Sequence, residues 1–184
     1  MVTYSSKFRS LRARRGFTLI EAALATAIIG TGFIAMFQLF TSCTRDNSAG
    51  AQMTTALMLA NSIQEAMANL TFQDPSTSTT YFGPEPGETL ATYNDLDDFD
   101  LSTFNPPIDA SRIPITELSQ YSQLVTVMPV LPYEPSCNNN ETSPDFAKTT
   151  YTGAVRVRVR ILFRPQPSAV AQEVYRLSWI RQDH

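Results

Sequence analysis

Glu21 demands more of its surroundings than any other residue in the chain. It is the only charged side chain between Arg15 and Arg45, and it stands inside an apolar run. An ionised carboxylate near the centre of a bilayer costs at least about 2.5 kcal/mol, so it needs either a cationic partner or a place at the interface. Its own segment offers no cation; in the simplest reading Glu21 reaches the headgroups at the inner surface. A second set of carboxylates, Asp95, Asp97, Asp98 and Asp100, could gather several oxygens in one loop, as calcium requires. The spacing lacks the glycine and terminal glutamate of an EF-hand, and acidic loops are commonly just solvated. Catalytic chemistry has little to work with. The single histidine, His184, is the last residue, and there is no Gly-rich phosphate loop, nucleophile motif or cysteine pair at metal spacing. The expectation is that the chain is not an enzyme and has no cofactor beyond the calcium candidate.

Charge is distributed very unevenly. Residues 1–16 carry Lys7, Arg9, Arg12, Arg14 and Arg15 and no acid, so the net charge of −3 becomes −3 − 5 = −8 without them. From Asp46 to Asp145 fourteen acids face one base, Arg112, whereas Lys148 to Arg181 holds seven bases and the single acid Glu173. Phosphate binding needs a basic surface, which argues against nucleic acid as the partner of the whole chain. The basic N-terminus is better explained by membrane topology.

Phe17 to Phe40 is twenty-four residues without Lys or Arg, seventeen of them Ala, Leu, Ile, Met or Phe. At 1.5 Å per residue such a helix reaches about 36 Å, enough to cross a hydrocarbon core of about 30 Å. The basic cluster on one side places residues 1–16 in the cytoplasm and the remainder outside, which in a bacterium means the periplasm or cell surface. Three ordinary readings compete. A secretory signal peptide has a shorter apolar stretch. A lipoprotein anchored through Cys43 would explain the small residues Thr41 and Ser42, but the usual leucine three positions before the cysteine is absent. A plain single-pass anchor leaves Glu21 to be explained.

All twelve prolines lie at or beyond Pro75, so a long helix is possible only before it. From Ala49 the pattern turns one-sided: Met53, Ala56, Leu57, Ala60, Ile63, Met67 and Leu70 recur at intervals of three and four. The expectation is one nearly continuous helix over 17–70, with 17–40 in the membrane and the second half packed on a head.

The string Arg14-Arg15-Gly16-Phe17-Thr18-Leu19-Ile20-Glu21 resembles the processing motif of type IV prepilins and type II secretion pseudopilins. Basic leader, Gly-Phe junction, buried glutamate and spanning helix occur together in the required order. The resemblance implies a cytoplasmic leader, residues 1–16, recognised through Arg14 and Arg15. It implies that prepilin peptidase cuts between Gly16 and Phe17 and that the same enzyme N-methylates Phe17. Glu21 would then meet the new ammonium of Phe17 on a neighbouring subunit, which supplies the missing partner and sets register between subunits. The other implied partners are further pilin or pseudopilin subunits and the inner-membrane assembly platform. Members of the family often carry a C-terminal disulfide loop. This chain has only Cys43 and Cys137, which the helix rise sets far apart, so no bond between them is expected.

Residues 71–184 read as the head. Turn formers such as Gly83-Pro84-Glu85-Pro86-Gly87 and Asn105-Pro106-Pro107 mark 71–120 as loops rather than core, with Leu96 and Phe99 able to tuck the acidic loop against the helix. Strand signals follow over 121–131, 150–164 and 170–180. The middle one alternates Val155, Val157, Val159, Ile161 and Phe163 with Arg156, Arg158, Arg160 and Arg164. An antiparallel sheet over 121–181 covered by the helix is expected, an α+β fold of the kind the pilin resemblance also implies. The arginine row reads as a solvated face or a contact with acidic neighbours, such as the stretch 85–109.

The expected function is that of a structural subunit, a minor pilin or pseudopilin. The strand ending Arg176-Leu177-Ser178-Trp179-Ile180-Arg181 is similar in style to the I-type and V-type members. The alternative is a membrane-tethered periplasmic module that binds DNA through the arginine row or an adhesive ligand.

Overall fold

The computed structural model describes residues 16–72, 74, 82–131, 150 and 152–183. Arg14, Arg15 and Cys137 lie outside them, so the leader contacts and the cysteine pairing concern positions beyond the described residues. The chain forms two compact units, Met1–Asn47 and Ser48–His184. Helix α1, Leu19–Met67, begins in the first and ends in the second.

The first unit, from Gly16 to Asn47, is helix without a core. Its large apolar side chains from Phe17 to Phe40 are 60–89% exposed. An eighteen-residue window of the helix has a mean hydropathy of 1.9, long and apolar enough to cross a membrane. Hydroxyls inside this stretch are satisfied locally. Thr26 Oγ1 donates to the Ala22 carbonyl at 2.9 Å, Thr31 to Ala27 at 3.1 Å and Thr44 to Phe40 at 2.9 Å. Such back-bonding lets threonine sit in an apolar helix without an unmet donor. Gly30 and Gly32 do not interrupt the helix.

The second unit is a four-stranded antiparallel sheet in spatial order β1-β2-β3-β4, with β1 Thr103–Phe104, β2 Tyr121–Pro129, β3 Ala154–Phe163 and β4 Gln172–Gln182. One face packs on the end of α1. Ala56, Leu59, Ala60, Ile63 and Met67 from the helix meet Val125 and Val127 of β2 and Val155, Val157, Val159 and Ile161 of β3. The α+β layout follows from two matched periodicities, every third or fourth residue on the helix and every second on the strands.

Several expectations need correction. The buried helix stripe runs through Leu59, whereas Leu57 and Met53 are exposed. Ala56 to Ala60 are five consecutive apolar residues, more than one full turn, so periodicity alone could not choose between adjacent stripes. The helix ends at Met67 rather than Leu70, and just past its end Arg181 of β4 donates to the Ala68 oxygen at 2.9 Å and the Leu70 oxygen at 3.5 Å. Residues 71–120 are not merely loops: Leu96, Phe99 and Ile108 belong to the core, and β1 extends the sheet.

The arginine row also departs from a solvated face. Arg158 is 3% exposed, opposite Thr126 and Ser178 in the register. It lies midway along β3, which is flanked on both sides by other strands and so loses exposure to both. Arg160, nearer the end of the strand, pairs with Glu173 of β4 at 2.7 Å rather than with the acidic stretch. Arg176 holds the other oxygen of Glu173 at 2.8 Å.

A buried polar side chain joins three layers. Gln123, fully buried on β2, donates from Nε2 to the carbonyls of Leu59 and Ile108, each at 2.9 Å, and accepts from the Ile108 N–H at 2.7 Å. All of its polar atoms are matched, which is the condition for burying an amide without penalty.

Candidate functional site

Two places carry functional groups: the start of α1 and the acidic segment between α1 and the sheet. At the helix start, the Thr18 carbonyl accepts from the Glu21 and Ala22 amides, both at 3.1 Å, which makes Thr18 the N-cap. The Thr18 hydroxyl oxygen accepts from the Glu21 N–H at 3.3 Å, and the Thr18 N–H donates to Glu21 Oε2 at 3.5 Å. The Thr18 Oγ1–H also lies 3.4 Å from that oxygen. The pattern Thr18-Leu19-Ile20-Glu21 is a capping box, two helix-end donors satisfied reciprocally. The sequence readings of Glu21, a place at the headgroups or a cation on a neighbour, both leave this box out. The T-x-x-E spacing before an apolar run was the signal they passed over.

This geometry resolves the isolated chain's difficulty with Glu21. Its carboxylate sits in the first turn, where the partial positive charge of the helix end favours an anion, and it has a backbone donor. Gly16 and Phe17 precede the cap, outside the helix, and Phe17 is 75% exposed. The Gly16–Phe17 bond is therefore in irregular, accessible chain, the condition any peptidase needs. Cys43 is a free, exposed cysteine within the helix.

The acidic segment is organised differently from the expected calcium loop. Each of the four aspartates is engaged with backbone. Asp95 Oδ1 accepts from the Asp98 amide at 3.2 Å, and Asp97 Oδ2 from the Gly83 amide at 2.9 Å. Asp98 Oδ2 accepts from the amides of Asn94 at 2.8 Å and Asp95 at 3.2 Å. Asp100 Oδ1 accepts from the Val127 amide on β2 at 2.9 Å. These carboxylates fold the segment around Phe99, which is fully buried and makes edge contacts with Tyr93 and Phe104 at centroid distances of 5.2 and 6.1 Å.

The four aspartates are thus not one ligand set. Asp98 instead meets Glu85 and Glu88, and among the described residues this is the group whose carboxylate oxygens converge, all within 4.8 Å of one another. The pair comes from a tight turn in which the Glu88 amide donates to the Glu85 carbonyl at 3.0 Å. Gly87 supplies the positive φ of +103° that this turn requires. Sequence reasoning missed the glutamates because their distance from Asp98 along the chain gives no periodic signal.

Burial shapes the ionisation of these acids. Burial, then the charges of Asp97 and Asp98, push Asp95 up to about 8. Asp97 is raised, chiefly by burial. Burial and the nearby Asp98 carboxyl push Glu88 up to about 7. The nearby Arg112 does not neutralise them; its Nη1 donates to the carbonyls of Leu90 and Tyr93 at 3.0 and 2.8 Å, and its guanidinium lies 5.5 Å from the Phe99 ring centre.

Comparison with family models, curated proteins and solved structures gives no match to this chain.

Proposed function

We propose that the chain is a minor pilin or pseudopilin, a structural subunit processed by prepilin peptidase and assembled into a type IV pilus or type II secretion pseudopilus. The observation that carries this reading is the helix start. A Gly16–Phe17 junction in irregular chain leads directly into a capped helix whose apolar side chains, from Phe17 to Phe40, have no core of their own to enter. Such a helix is stable in lipid or among copies of itself, and filament assembly moves it from the first setting to the second.

On this reading, cleavage frees an ammonium at Phe17, one residue before the N-cap. Glu21 holds only long hydrogen bonds within its own chain, so it can exchange the capping interaction for the ammonium of a neighbour. The exchange costs little because a carboxylate in the first turn keeps its favourable place at the helix end. The head stays outside the inner membrane and becomes the surface of the filament. Methylation of Phe17, recognition of Arg14 and Arg15 and docking on the assembly platform belong to the same proposal.

Mass spectrometry of the mature protein tests it. The expected N-terminus is methylated Phe17. An uncleaved leader defeats the proposal, and a lipidated Cys43 at the N-terminus establishes the lipoprotein instead. A DNA-binding head is less favoured, because Arg158 is buried and Arg160 is paired with Glu173. Salt-dependent retention on DNA, lost on replacing Arg156, Arg158 and Arg160, would restore that reading.

A further inference from the structure

We infer that the outer edge of β4 is a docking site for an extended acidic strand of another polypeptide, which adds to the four-stranded sheet as a fifth strand. The phase of the backbone ladder carries this. Asp183, one residue beyond β4, donates its N–H to the Gly153 carbonyl at 3.1 Å, and on the other side of β3 the Val130 N–H reaches the Ala154 carbonyl at 3.0 Å. Opposed residues in an antiparallel pair alternate between bonded and non-bonded, and Ala154 stands opposite Gln182. Tyr175, Leu177, Trp179 and Arg181 therefore turn their backbone groups to β3. Arg176, Ser178, Ile180 and Gln182 turn theirs to the open edge, where no strand pairs with them among the described residues.

The two edges of the sheet are built differently. β1 is two residues long and runs into Asn105-Pro106-Pro107, which stops pairing at once. β4 is eleven residues long and holds neither proline nor lysine. It is regular from Tyr175 to Gln182, since its register shift lies at Ile161/Leu162, facing its first residues. Edges of this length are ordinarily blunted, because their free N–H and C=O groups template a further strand.

The flanks of the edge dictate what that strand carries. On the helix side an open groove of about 340 Å³ lies between the end of α1 and β4, lined by Gln64, Glu65, Met67, Ala68, Trp179 and Arg181. Leu177 and Trp179 are only partly buried there, so every second side chain of an added strand meets apolar surface. Ile180, 46% exposed, offers the same on the opposite face. β3 and β4 together hold five arginines and one acid, Glu173, which Arg160 and Arg176 share. Arg181 meets backbone carbonyls and, among the described residues, no carboxylate. Acidic side chains opposite Arg176 and Arg181 complete the match, as opposite charges do across strands.

A second copy does not fit this edge. Its β4 could pair antiparallel only after a half-turn about the sheet normal, which reverses its α1, whereas two chains inserted in one membrane share a direction. Its β1 is too short to serve. The inference uses the membrane span but not filament assembly, and it holds or fails whatever the N-terminus of the mature chain proves to be.

The probe is a fluorescein-labelled peptide with blocked ends, Thr-Glu-Val-Ile-Thr-Val-Glu-Val, titrated with the full-length protein in detergent micelles. Aligned antiparallel to β4 from Gln182 to Tyr175, it sets its glutamates opposite Arg181 and Arg176. Fluorescence anisotropy should show saturable binding of one peptide per chain. N-methylation at the third, fifth and seventh residues, whose amides face β4, should weaken binding at least about tenfold, while N-methylation at the second, fourth and sixth should not. Replacing both glutamates by lysine should weaken it comparably. Ser178→Pro removes an edge-facing N–H without touching the β3 ladder and should abolish binding, with far-UV circular dichroism unchanged. If that variant misfolds, the two methylated peptides decide the matter on the unaltered protein. No saturable binding, equal loss with both methylation patterns, or undiminished binding of the lysine peptide each overturns the inference. So does dimerisation in micelles that Ser178→Pro removes, because the edge would then hold a second copy.

Discussion

The helix α1 passes through two regions that obey opposite rules. From Phe17 to Phe40 its large apolar side chains are exposed, while from Ala56 to Met67 an apolar stripe is sealed against strands. In the first region polar groups are satisfied within the helix itself, by threonine back-bonds and the Thr18–Glu21 box. In the second, Ser62 back-bonds to Met58 in the same way, but side chains of the sheet also reach in from long sequence distances, Gln123 onto the Leu59 carbonyl and Arg181 onto the Ala68 carbonyl just past the helix end. A segment that settles its hydrogen bonds internally can change surroundings, from lipid to a bundle of neighbours, without losing any. A segment that depends on distant partners holds one position. The same helix thus has one stretch whose hydroxyls need no outside partner and one that the sheet holds in place.

The sharpest way to break this contrast is at the proposed assembly residue. Glu21→Ala should leave processing and the head intact and strongly reduce recovery in sheared filaments; undiminished recovery would remove Glu21 from assembly. Next comes the same chemical change made in both regions. Leu59→Ala, in the core, should destabilise the head by about 3 kcal/mol. Leu39→Ala, 66% exposed, should shift the melting of the head by less than about 0.5 kcal/mol. Equal effects would mean that the two regions are not energetically separate. Gln123→Ala should cost about 2 kcal/mol, because it strands the Ile108 N–H and carbonyl in the core, whereas the Leu59 carbonyl keeps its donor within the helix. Denaturant unfolding measures all three.

The acidic segment gives a smaller, pH-dependent effect. Asp95 is raised from 3.8 to about 8, so the folded head holds a proton that the unfolded chain releases. The stability linked to this proton is full below about 3.8 and is lost as the pH rises through about 8, so the thermal midpoint should fall across that window. A midpoint that climbs over the same range would show that the carboxylates are not buried as described. Smallest of all is the exposed trio on β3 and β4. Glu173 is held below its usual range by hydrogen bonds from Arg176 and then Arg160, and its contribution should disappear as the pH falls below about 4.5. Glu173→Gln should cost at most about 1 kcal/mol in a double-mutant cycle with Arg160→Gln.

Much of this was legible in the sequence, for physical reasons that differ by residue. The apolar span, the helix and the three long strands rest on composition and short-range periodicity, and no tertiary contact is needed to produce those signals. The alternation of valine and arginine along β3 placed the core face correctly. It did not reveal that Arg158 would be buried, because exposure depends on the strands either side. Leu96 and Phe99 were identifiable as anchors of the acidic loop, but membership of residues 71–120 in the core was not. Prolines and glycines report local turns and say nothing of what a loop packs on.

The sequence by itself determined that a membrane-length apolar helix precedes an acidic α+β head, and that a Gly-Phe junction with a glutamate five positions on opens that helix. These are properties of neighbours in the chain, fixed by spacing and side-chain chemistry. Only the tertiary structure decided which stripe of α1 is buried, that Gln123 ties helix, loop and sheet together, and that Asp98 faces Glu85 and Glu88 rather than closing a loop with Asp95, Asp97 and Asp100. The last of these depends on positive-φ turns at Gly83 and Gly87 and on packing around Phe99, and the first two on the sheet that meets α1, so all three bring together residues with no regular spacing in the chain.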